Sequence, residues 1–438
     1  MSNRCKGNNY LSPCKYIFRS WNDEFLHDGF FVNNDVNVNF VDCNRYESHY
    51  VMKNRQLRIL MVGDASNYHR ALAGGLREMG HDVVLASNGS GWMDTERDID
   101  LSRKDGKLSG ARLWFKLCRL MKSRLRGFDV VQLNNPVFVN LRPERNIMLF
   151  RELKRHNRSI FLTALGTDTA YADLCLSPSS PLAYNEWMVY GKPSPYHIQS
   201  PEVIKAWLED PLKSHCAEIY DGIDGAVSAL YEYHLACRKQ LPDDRLAYGG
   251  IPIDTQAIRP VELPDRIDRV RLFLGMHRDR KVEKGTDRIF EAARRVAERH
   301  PDRCTLEIVE NLPYGEYIQR MRGSHVVLDQ LYSYTPATNA LLAMAMGLNT
   351  LSGGEEEYYE FIGEEHLRPI INAVPDDDAL YATIENTVMH PELIKPRGRE
   401  GRELVVKYND TGVVARRFVD LWGRVLESKE SGNGQNPK

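Results

Sequence analysis

Strand and helix patterns alternate along the chain from residue 57 onward. The apolar run LRILMV (57–62) predicts a buried strand, HRALAGGLREMG (69–80) predicts an amphipathic helix closed by Gly80, and HDVVLAS (81–87) predicts a second strand. Strand, helix and strand in this order form a βαβ unit with parallel strands. Three more strand patterns follow between helical stretches, at residues 128–133, 159–165 and 224–230.

A second series of the same kind follows a loop rich in Gly and Pro at residues 249–264. A last helix is predicted over residues 413–426. The sequence therefore predicts an α/β fold of two Rossmann-like domains, whose mostly parallel sheets face a cleft where such sheets bind ligands. The strand patterns of the second series cover residues 270–276, 304–309, 325–329, 348–352 and 368–371, and the apolar stripe of the last helix is Val414, Phe418, Leu421, Trp422 and Leu426.

These patterns divide the 438 residues, which exceed one ordinary core, into five segments. Residues 1–52 show neither helical nor strand periodicity. They are expected to be a disordered leader or an upstream extension, with the true start at Met52. A native intact mass that begins at Met1 would contradict this start. Within the N-terminal domain, residues 166–201 are expected to be an irregular excursion. The remaining segments are an N-terminal Rossmann-like domain (53–248), a C-terminal one (249–410), a helix packing back toward the first domain (411–427) and a disordered tail (428–438).

Charge and cysteine usage argue against several classes of protein. The 58 Lys and Arg residues nearly balance the 60 Asp and Glu residues, so the formal net charge of −2 gives no reason to expect a nucleic-acid partner. The eight cysteines form no CxxC pair, which argues against a zinc site, a redox motif or a disulfide framework. The sequence has neither a signal-peptide pattern nor a membrane-length apolar run, so the expected location is the cytoplasm.

Four short motifs occur in the order and near the spacing of one known family. They are GGIPID (249–254) with Arg259-Pro260, EKG (283–285), LAMAMG (342–347) and GGEEE (353–357), and they resemble that family's NGID…RP, EKG, EAMACG and GGxPE. The chain thus resembles the family-4 retaining glycosyltransferases of the GT-B fold. The resemblance implies transfer of a hexose from a nucleotide diphosphate sugar, of the UDP or GDP type, to a glycan or lipid-linked acceptor. It also implies that the N-terminal domain binds the acceptor, that the C-terminal domain binds the donor, and that no further cofactor is needed.

The sequence departs from this family at two glutamates, one on a loop and one on the helix after it. Leu342 stands at the helix position, and the loop at residues 333–336 reads SYTP. Retention tolerates their loss to a degree, because the departing phosphate can itself take the acceptor's proton. Two alternatives stay open: a catalytically silent GT-B partner subunit, which would not hydrolyse a donor, and a nucleotide-sugar epimerase, which product analysis would identify.

Two basic residues are candidates for binding the donor diphosphate. Transfer leaves negative charge on the diphosphate, which cations or helix N-termini must stabilise. Arg278 and Lys284 lie between the strand at 270–276 and the next helix, and the resemblance assigns both to the donor. The alternative for them is a solvated charged loop.

Two further donor elements are predicted beyond residue 329. Thr335 and Pro336 read as the N-cap and first residue of a helix, so that backbone N–H groups near Thr338 and Asn339 can hold phosphate. The resemblance adds Glu357 as a carboxylate that contacts the donor. The alternatives are an ordinary capped core helix and a solvated carboxylate at a helix start.

The candidates in the first domain follow two of its strands. The resemblance assigns Gly63 to the donor phosphate, Asn67 to the acceptor side, and His69 and Asp168 to catalysis. His69 reads alternatively as a helix cap or surface residue, and Asp168 as a residue that stabilises a turn.

One basic amphipathic stretch raises the question of a membrane. Residues 112–126 (RLWFKLCRLMKSRLR) include Trp114 and Phe115 and are suited to peripheral contact with anionic lipid on the inner face of the membrane. The alternative is a sheet-covering helix with solvated charges. The acidic run at residues 376–378 reads as a helix cap, and with no His/Cys cluster at ligand spacing, no catalytic metal is predicted.

Overall fold

The first half of the fold is a parallel sheet flanked by helices. This computed structural model describes residues 55–104 and 106–433. The strands of the first half are β1 (Arg58–Val62), β2 (Asp82–Ser87), β3 (Ile99–Asp100), β4 (Val130–Leu133), β5 (Ser159–Ala164), β6 (Met188–Val189), β7 (Lys192–Pro193), β8 (Gly225–Ser228) and β9 (Leu246–Tyr248). Its helices are α1 (Tyr68–Glu78), α2 (Ser109–Met121), α3 (Pro143–His156), α4 (Thr169–Leu176), α5 (Pro195–Gln199), α6 (Pro201–Leu208), α7 (Leu212–Gly222) and α8 (Tyr231–Cys237).

The second half repeats this architecture with a smaller sheet. Its strands are β10 (Val270–Met276), β11 (Cys304–Glu310), β12 (Val326–Leu328), β13 (Asn349–Ser352) and β14 (Ile371–Asn372). Its helices are α9 (Lys281–Lys284), α10 (Thr286–Arg299), α11 (Tyr314–Arg322), α12 (Thr338–Ala345), α13 (Glu356–Ile362), α14 (Asp377–Met389), α15 (Ile394–Asn409) and α16 (Thr411–Asn433).

Both sheets are parallel throughout the described part of the chain. The first has the strand order β3-β2-β1-β4-β5-β8-β9 and the second the order β11-β10-β12-β13-β14, while β6 and β7 form a separate antiparallel hairpin. Every residue of β4 and β5 is buried, as expected for strands covered by helices on both faces. The carboxyl ends of parallel strands share one edge of each sheet, and the loops that follow these ends build the site.

The last helix, α16, returns from the second half to cover the first sheet. The indole Nε1–H of Trp422 donates to Oε1 of Gln132 on β4 at 3.0 Å, and the Trp422 ring lies 6.3 Å from that of Phe161. Phe418 packs against Tyr68 at the start of α1. All of these side chains are buried, so the core of the first half is completed by residues from the end of the chain.

The structure corrects three sequence expectations. The last helix continues through residue 433, past the predicted end at 427, and Lys429 in this extension pairs with Asp224 of the first half at 2.7 Å. The predicted irregular excursion contains α4, β6, β7 and α5, and the side chains of Asp168 and Ser194 cap its two helices. The strand predicted at residues 368–371 is reduced to β14. The leader at residues 1–52 and residues 434–438 lie outside the described residues.

The two sheets occupy residues 58–248 and 270–372. The domain limits drawn from the sequence stay predictions. Among the helices of the described residues, none combines the length and the apolar character needed to cross a membrane.

Candidate functional site

A cleft of about 350 Å³ lies at the carboxyl ends of the second sheet. Gly275 and Met276 at the end of β10, Asp329 after β12 and the start of α12 form its wall. Ser66 and Met93 reach it from loops of the first half, so both halves border the same space. This is the position at which two α/β units with facing strand ends bind a ligand.

Two cations face this cleft. Lys284 ends α9, and burial lowers the pKa of its ammonium group, while the nearby carboxylate of Asp329 acts in the opposite direction. Arg280 also lines the cleft, and its guanidinium Nε lies 3.0 Å from Oε2 of Glu283. Both side chains thus form part of the wall that an anion in the cleft would contact.

Arg278 lies elsewhere, although the sequence assigned it to the diphosphate. Its guanidinium pairs with Glu310 at 3.2 Å, its side chain is 72% exposed, and it is absent from the cleft wall as the described residues form it. Arg278 and Arg280 share the short 3-10 helix Arg278–Arg280. Nothing in the sequence HRDR distinguishes the arginine that lines the cleft from the arginine that faces solvent. The sequence alone therefore could not assign Arg280, and not Arg278, to the cleft.

Helix α12 presents its N-terminus to the cleft. It begins at Thr338 with Ala337 as its N-cap, and no side chain of the described residues caps it. The prediction of Thr335 and Pro336 as N-cap and first residue was therefore wrong. Ala337, Thr338 and Asn339 line the cleft, which places the first backbone N–H groups of the helix at its wall.

The physical reason for this later start lies in the first half of the fold. The buried carboxylate of Glu232 on α8 accepts hydrogen bonds from the backbone N–H groups of Tyr334 at 2.6 Å and Thr335 at 3.1 Å. It also accepts one from the Thr335 hydroxyl at 2.6 Å. The hydroxyl that the sequence offered as a helix cap is thus used by a residue about a hundred positions earlier, and the loop at residues 333–335 stays non-helical.

A hydrogen-bond network orients the polar side chains of the cleft wall. Asp329 is buried and accepts from Asn339 Nδ2 at 3.0 Å and from the Ser352 hydroxyl at 3.0 Å. The Tyr317 hydroxyl donates to Asn339 Oδ1 at 2.8 Å. Gly275 leaves room for this tyrosine, because a Cβ there would lie 2.5 Å from its ring. These contacts fix Asn339 at the start of α12.

No carboxylate stands at either of the two positions where the family-4 glycosyltransferases carry a glutamate. Leu342 lines the cleft at the helix position, and the loop position belongs to the segment that Glu232 holds. Glu357 is exposed and lies away from the cleft lining. Its neighbour Glu355 instead accepts hydrogen bonds from the Tyr184 hydroxyl and from Asn372 Nδ2.

The predicted residues of the first half are mostly interior. His69 has no exposed surface, with Nδ1 2.8 Å from the Gly63 carbonyl and Nε2 3.0 Å from the Thr163 hydroxyl. Asp168 is buried and accepts from the Tyr171 backbone N–H at 2.8 Å and from the Tyr220 hydroxyl at 2.6 Å. These environments favour structural roles for both side chains.

The loop before α1 is tightly specified. Gly63 has a φ of +82°, and a Cβ at this position would lie 2.1 Å from Oδ1 of Asn134. Asn67 has a φ of 64°, and its backbone N–H donates to the Ser90 hydroxyl at 2.9 Å. In this loop Ser66, which the sequence did not single out, reaches the cleft.

Of the sequence-predicted site residues, the cleft wall contains three: Lys284, Thr338 and Asn339. The others, Arg278, Glu357, Gly63, Asn67, His69 and Asp168, lie outside it. The predicted roles of all nine residues are untested. Asp376 caps α14 through the Ala379 backbone N–H. Within the described ranges, no three His, Cys, Asp or Glu side chains are grouped to hold a metal ion.

The sequence matches no protein-family profile and no curated protein. Several solved structures are nevertheless similar in three dimensions. Sucrose-phosphate synthase from Thermosynechococcus elongatus is 13% identical with a TM-score of 0.53, and the match covers 85% of this chain and 100% of that one. Anabaena HepE in complex with UDP and glucose is 10% identical with a TM-score of 0.51, covering 83% and 99%. A glycosyltransferase from Rickettsia africae is 13% identical with a TM-score of 0.50, covering 85% and 99%.

These similarities, together with the two parallel sheets, show that the chain has the GT-B fold. At such identities they establish the architecture alone. Membership of family 4 stays a prediction.

Proposed function

We propose that this GT-B chain transfers a hexose from a nucleotide diphosphate sugar to a hydroxyl of a glycan or lipid-linked acceptor, with retention and without a catalytic metal. One observation carries the proposal: Arg280, Lys284 and the uncapped start of α12 converge on one cleft at the carboxyl ends of the second sheet. That combination is suited to a diphosphate.

The chemistry of transfer explains this arrangement. As the bond from the anomeric carbon to the diphosphate breaks, negative charge grows on the leaving group. Two cations and a helix N-terminus stabilise that charge without a divalent ion. The HepE structure contains UDP and glucose, which supports a UDP-type donor here. We assign His69 and Asp168 to the framework that shapes the acceptor side.

The two neighbouring arginines provide a matched test. Arg280→Ala should weaken binding of UDP or GDP about 10- to 100-fold, because it removes a charged hydrogen-bonding group from the cleft. Arg278→Ala removes the same side chain outside the cleft and should change the affinity less than about threefold. Calorimetric titration with UDP, GDP, ADP and CMP measures both variants against the wild type.

Each outcome separates the candidate functions. If no nucleotide binds the wild type, the catalytically silent partner subunit replaces the enzyme. A larger loss from Arg278→Ala than from Arg280→Ala would move the diphosphate to the position that the sequence predicted. If a nucleotide sugar binds, product analysis without acceptor distinguishes slow hydrolysis, expected for a transferase, from the isomeric sugar that an epimerase would produce.

The proposal includes peripheral membrane contact for a lipid-linked acceptor. Helix α2 buries Leu113 and Leu117, but Phe115 is 73% exposed beside the exposed Arg112 and Arg119. An exposed aromatic ring flanked by cations is suited to an anionic lipid surface.

Vesicle sedimentation tests this contact. Phe115→Asp should reduce binding to vesicles of phosphatidylglycerol and phosphatidylcholine several-fold, because it adds a charge that anionic lipid repels. Ile198→Asp is the control, since Ile198 is 69% exposed on α5, away from α2. Equal binding by both variants and the wild type would contradict membrane contact through α2.

A further inference from the structure

The segment at residues 166–201 joins the two halves beside the donor cleft. It carries α4, the β6-β7 hairpin and α5. The backbone N–H of Ala183 donates to the Tyr334 hydroxyl at 2.6 Å, and the Tyr184 hydroxyl donates to Glu355. This segment therefore contacts the loop before α12 and the start of α13, both in the second half.

A second cavity of about 100 Å³ lies between this segment and the second half. Arg280 and Lys284 line both this cavity and the donor cleft, so the two spaces meet at the cations proposed to hold the diphosphate. A sugar whose diphosphate occupies those cations has its anomeric carbon near this junction. A group that enters from the smaller cavity therefore approaches that carbon.

Three carboxylates line the smaller cavity, and two of them are already engaged. Glu232 holds the loop at residues 333–335 through its hydrogen bonds. Glu283 forms an ion pair with Arg280. Glu186 accepts from the Tyr171 hydroxyl at 2.7 Å, and among the described residues it has no other side-chain donor and no ion-pair partner.

We propose that Glu186 is the catalytic base that takes the proton from the acceptor hydroxyl; this rests on the proposed transferase function. On the face from which the diphosphate departs, the acceptor oxygen forms its bond to the anomeric carbon while the bond from that carbon to the diphosphate oxygen breaks. The configuration is therefore retained, and the electron pair of the broken bond leaves with the diphosphate. The hydroxyl proton passes to the Glu186 carboxylate, which releases it to solvent afterward. The departing phosphate then does not need to accept the proton.

The surroundings of Glu186 suit proton transfer near neutral pH. Burial raises the pKa of its carboxyl group to about 7, the Tyr171 hydrogen bond opposes this rise, and the negative charges of Glu283 and Glu232 add to it. Titratable and charged groups face it from four sides: Tyr171 and Cys175 of α4, Tyr196 of α5, Glu232 and Tyr233 of α8, and Arg280, Glu283, Lys284 and Tyr332 of the second half.

Hydrolysis of UDP-glucose, with water as the acceptor, tests the base in the full chain. Glu186→Gln keeps the size and the acceptor for Tyr171 but cannot take a proton, so release of UDP should fall at least about 100-fold while UDP affinity stays unchanged. The wild-type rate should fall as the pH drops through about 7, and this acid limb should be absent from the variant. Tyr171→Phe removes the hydrogen bond that stabilises the ionised Glu186 carboxylate. It should therefore raise the pKa of Glu186 and move the acid limb of the pH–rate profile to higher pH.

Azide separates a base from a structural residue. Azide is already an anion, so Glu186→Ala with UDP-glucose and sodium azide should form glucosyl azide at a rate near that of the wild type with azide. Three results would each overturn the role of Glu186. The first is that Glu186→Ala binds UDP-glucose but forms no glucosyl azide, and the second is that the wild type and Glu186→Gln hydrolyse UDP-glucose equally fast. The third is that Tyr171→Phe leaves the acid limb of the pH–rate profile where it is in the wild type. If UDP-glucose and GDP-glucose both fail to bind the wild type, the proposed function fails first, and the base fails with it.

Discussion

The imidazole of His69 is part of a buried chain of hydrogen bonds in the first half of the fold. The Gly63 carbonyl can only accept, so the hydrogen of the neutral ring is assigned to Nδ1, and Nε2 accepts from the Thr163 hydroxyl. The Thr163 oxygen accepts from Gln132, whose own oxygen accepts from Trp422. Burial lowers the pKa of His69 to about 4, so the ring stays neutral at physiological pH.

This environment predicts a pH dependence of stability. The folded pKa of His69 lies below the unfolded value of 6.5, so the unfolded chain binds the proton more readily and stability is lost as the pH falls from about 6.5 toward 4. From pH 7.5 to 5.0 the loss from this one residue should be about 2 kcal/mol. His69→Gln should remove that part of the pH dependence in urea unfolding.

The exposed His390 provides the control, since His390→Gln makes the same substitution on the surface of the chain. A pH dependence that His69→Gln does not reduce would contradict a lowered pKa of His69 in the folded chain.

Single residues of the site were the least predictable from sequence. Lys284 was placed correctly in the cleft by its position after a strand, but Arg278 and Arg280 differ only in which way a short 3-10 turn directs them. Glu186 and Glu232 carry no local signal at all. They become site residues because elements far apart in sequence pack together, and a motif or a period cannot encode that packing.

At the scale of elements, the start of α12 combines an irregular loop with an uncapped helix. Ala337 has an extended N-cap conformation, with a φ of −90° and a ψ of −177°, but no side-chain acceptor. An acceptor there would satisfy the first N–H groups of the helix and compete with a bound phosphate. The absence of a cap thus lowers helix stability while keeping the N-terminus open for an anion.

Ala337→Asp should therefore change stability and affinity in opposite directions. The new carboxylate should raise the free energy of unfolding by up to about 1 kcal/mol and weaken UDP binding at least about tenfold, because it occupies and neutralises the helix start. Urea unfolding and calorimetric titration measure the two effects.

Ala337→Ser is a neutral cap for comparison and should weaken UDP binding less than the aspartate does. A variant Ala337→Asp with unchanged UDP affinity would place the phosphate away from α12.

The strands were predictable because the physics that forms them is local. β10 coincides with its predicted range, and β1, β2 and β5 differ from theirs by one residue at an end, since parallel strands buried on both faces appear as unbroken apolar runs. The start of α12 was missed because Glu232 competes for its expected cap. Local patterns thus predicted the elements wherever no distant side chain intervened.

At the scale of the whole molecule, the two halves are tied together by the long return of α16. Trp422 and Phe418 complete the core of the first sheet, and Arg417 donates to the Gly249 carbonyl in the connection between the sheets at 2.8 Å. Because α16 follows directly from α15 of the second half, unfolding of either half should disturb the other.

Trp422 variants test this coupling. Trp422→Phe keeps most of the packing but leaves the buried Gln132 oxygen without its donor, and should cost about 1–3 kcal/mol. Trp422→Ala should cost about 3–5 kcal/mol. Both should unfold in a single transition by circular dichroism and by fluorescence.

The partly buried Trp207 serves as the comparison, and Trp207→Phe should cost less than Trp422→Phe. A first transition confined to α16, followed by separate unfolding of the two halves, would contradict the coupling.

The path of α16 also has a consequence for the order of synthesis. The apolar face around Tyr68 and Phe161 emerges from the ribosome early. Residues 411–433, which cover this face, are the last of the described residues to be synthesised. At typical translation speeds the intervening residues 251–410 take about 10–30 s. The nascent first half must therefore wait with an open hydrophobic surface, so we expect it to be a substrate for chaperones until the final helix arrives.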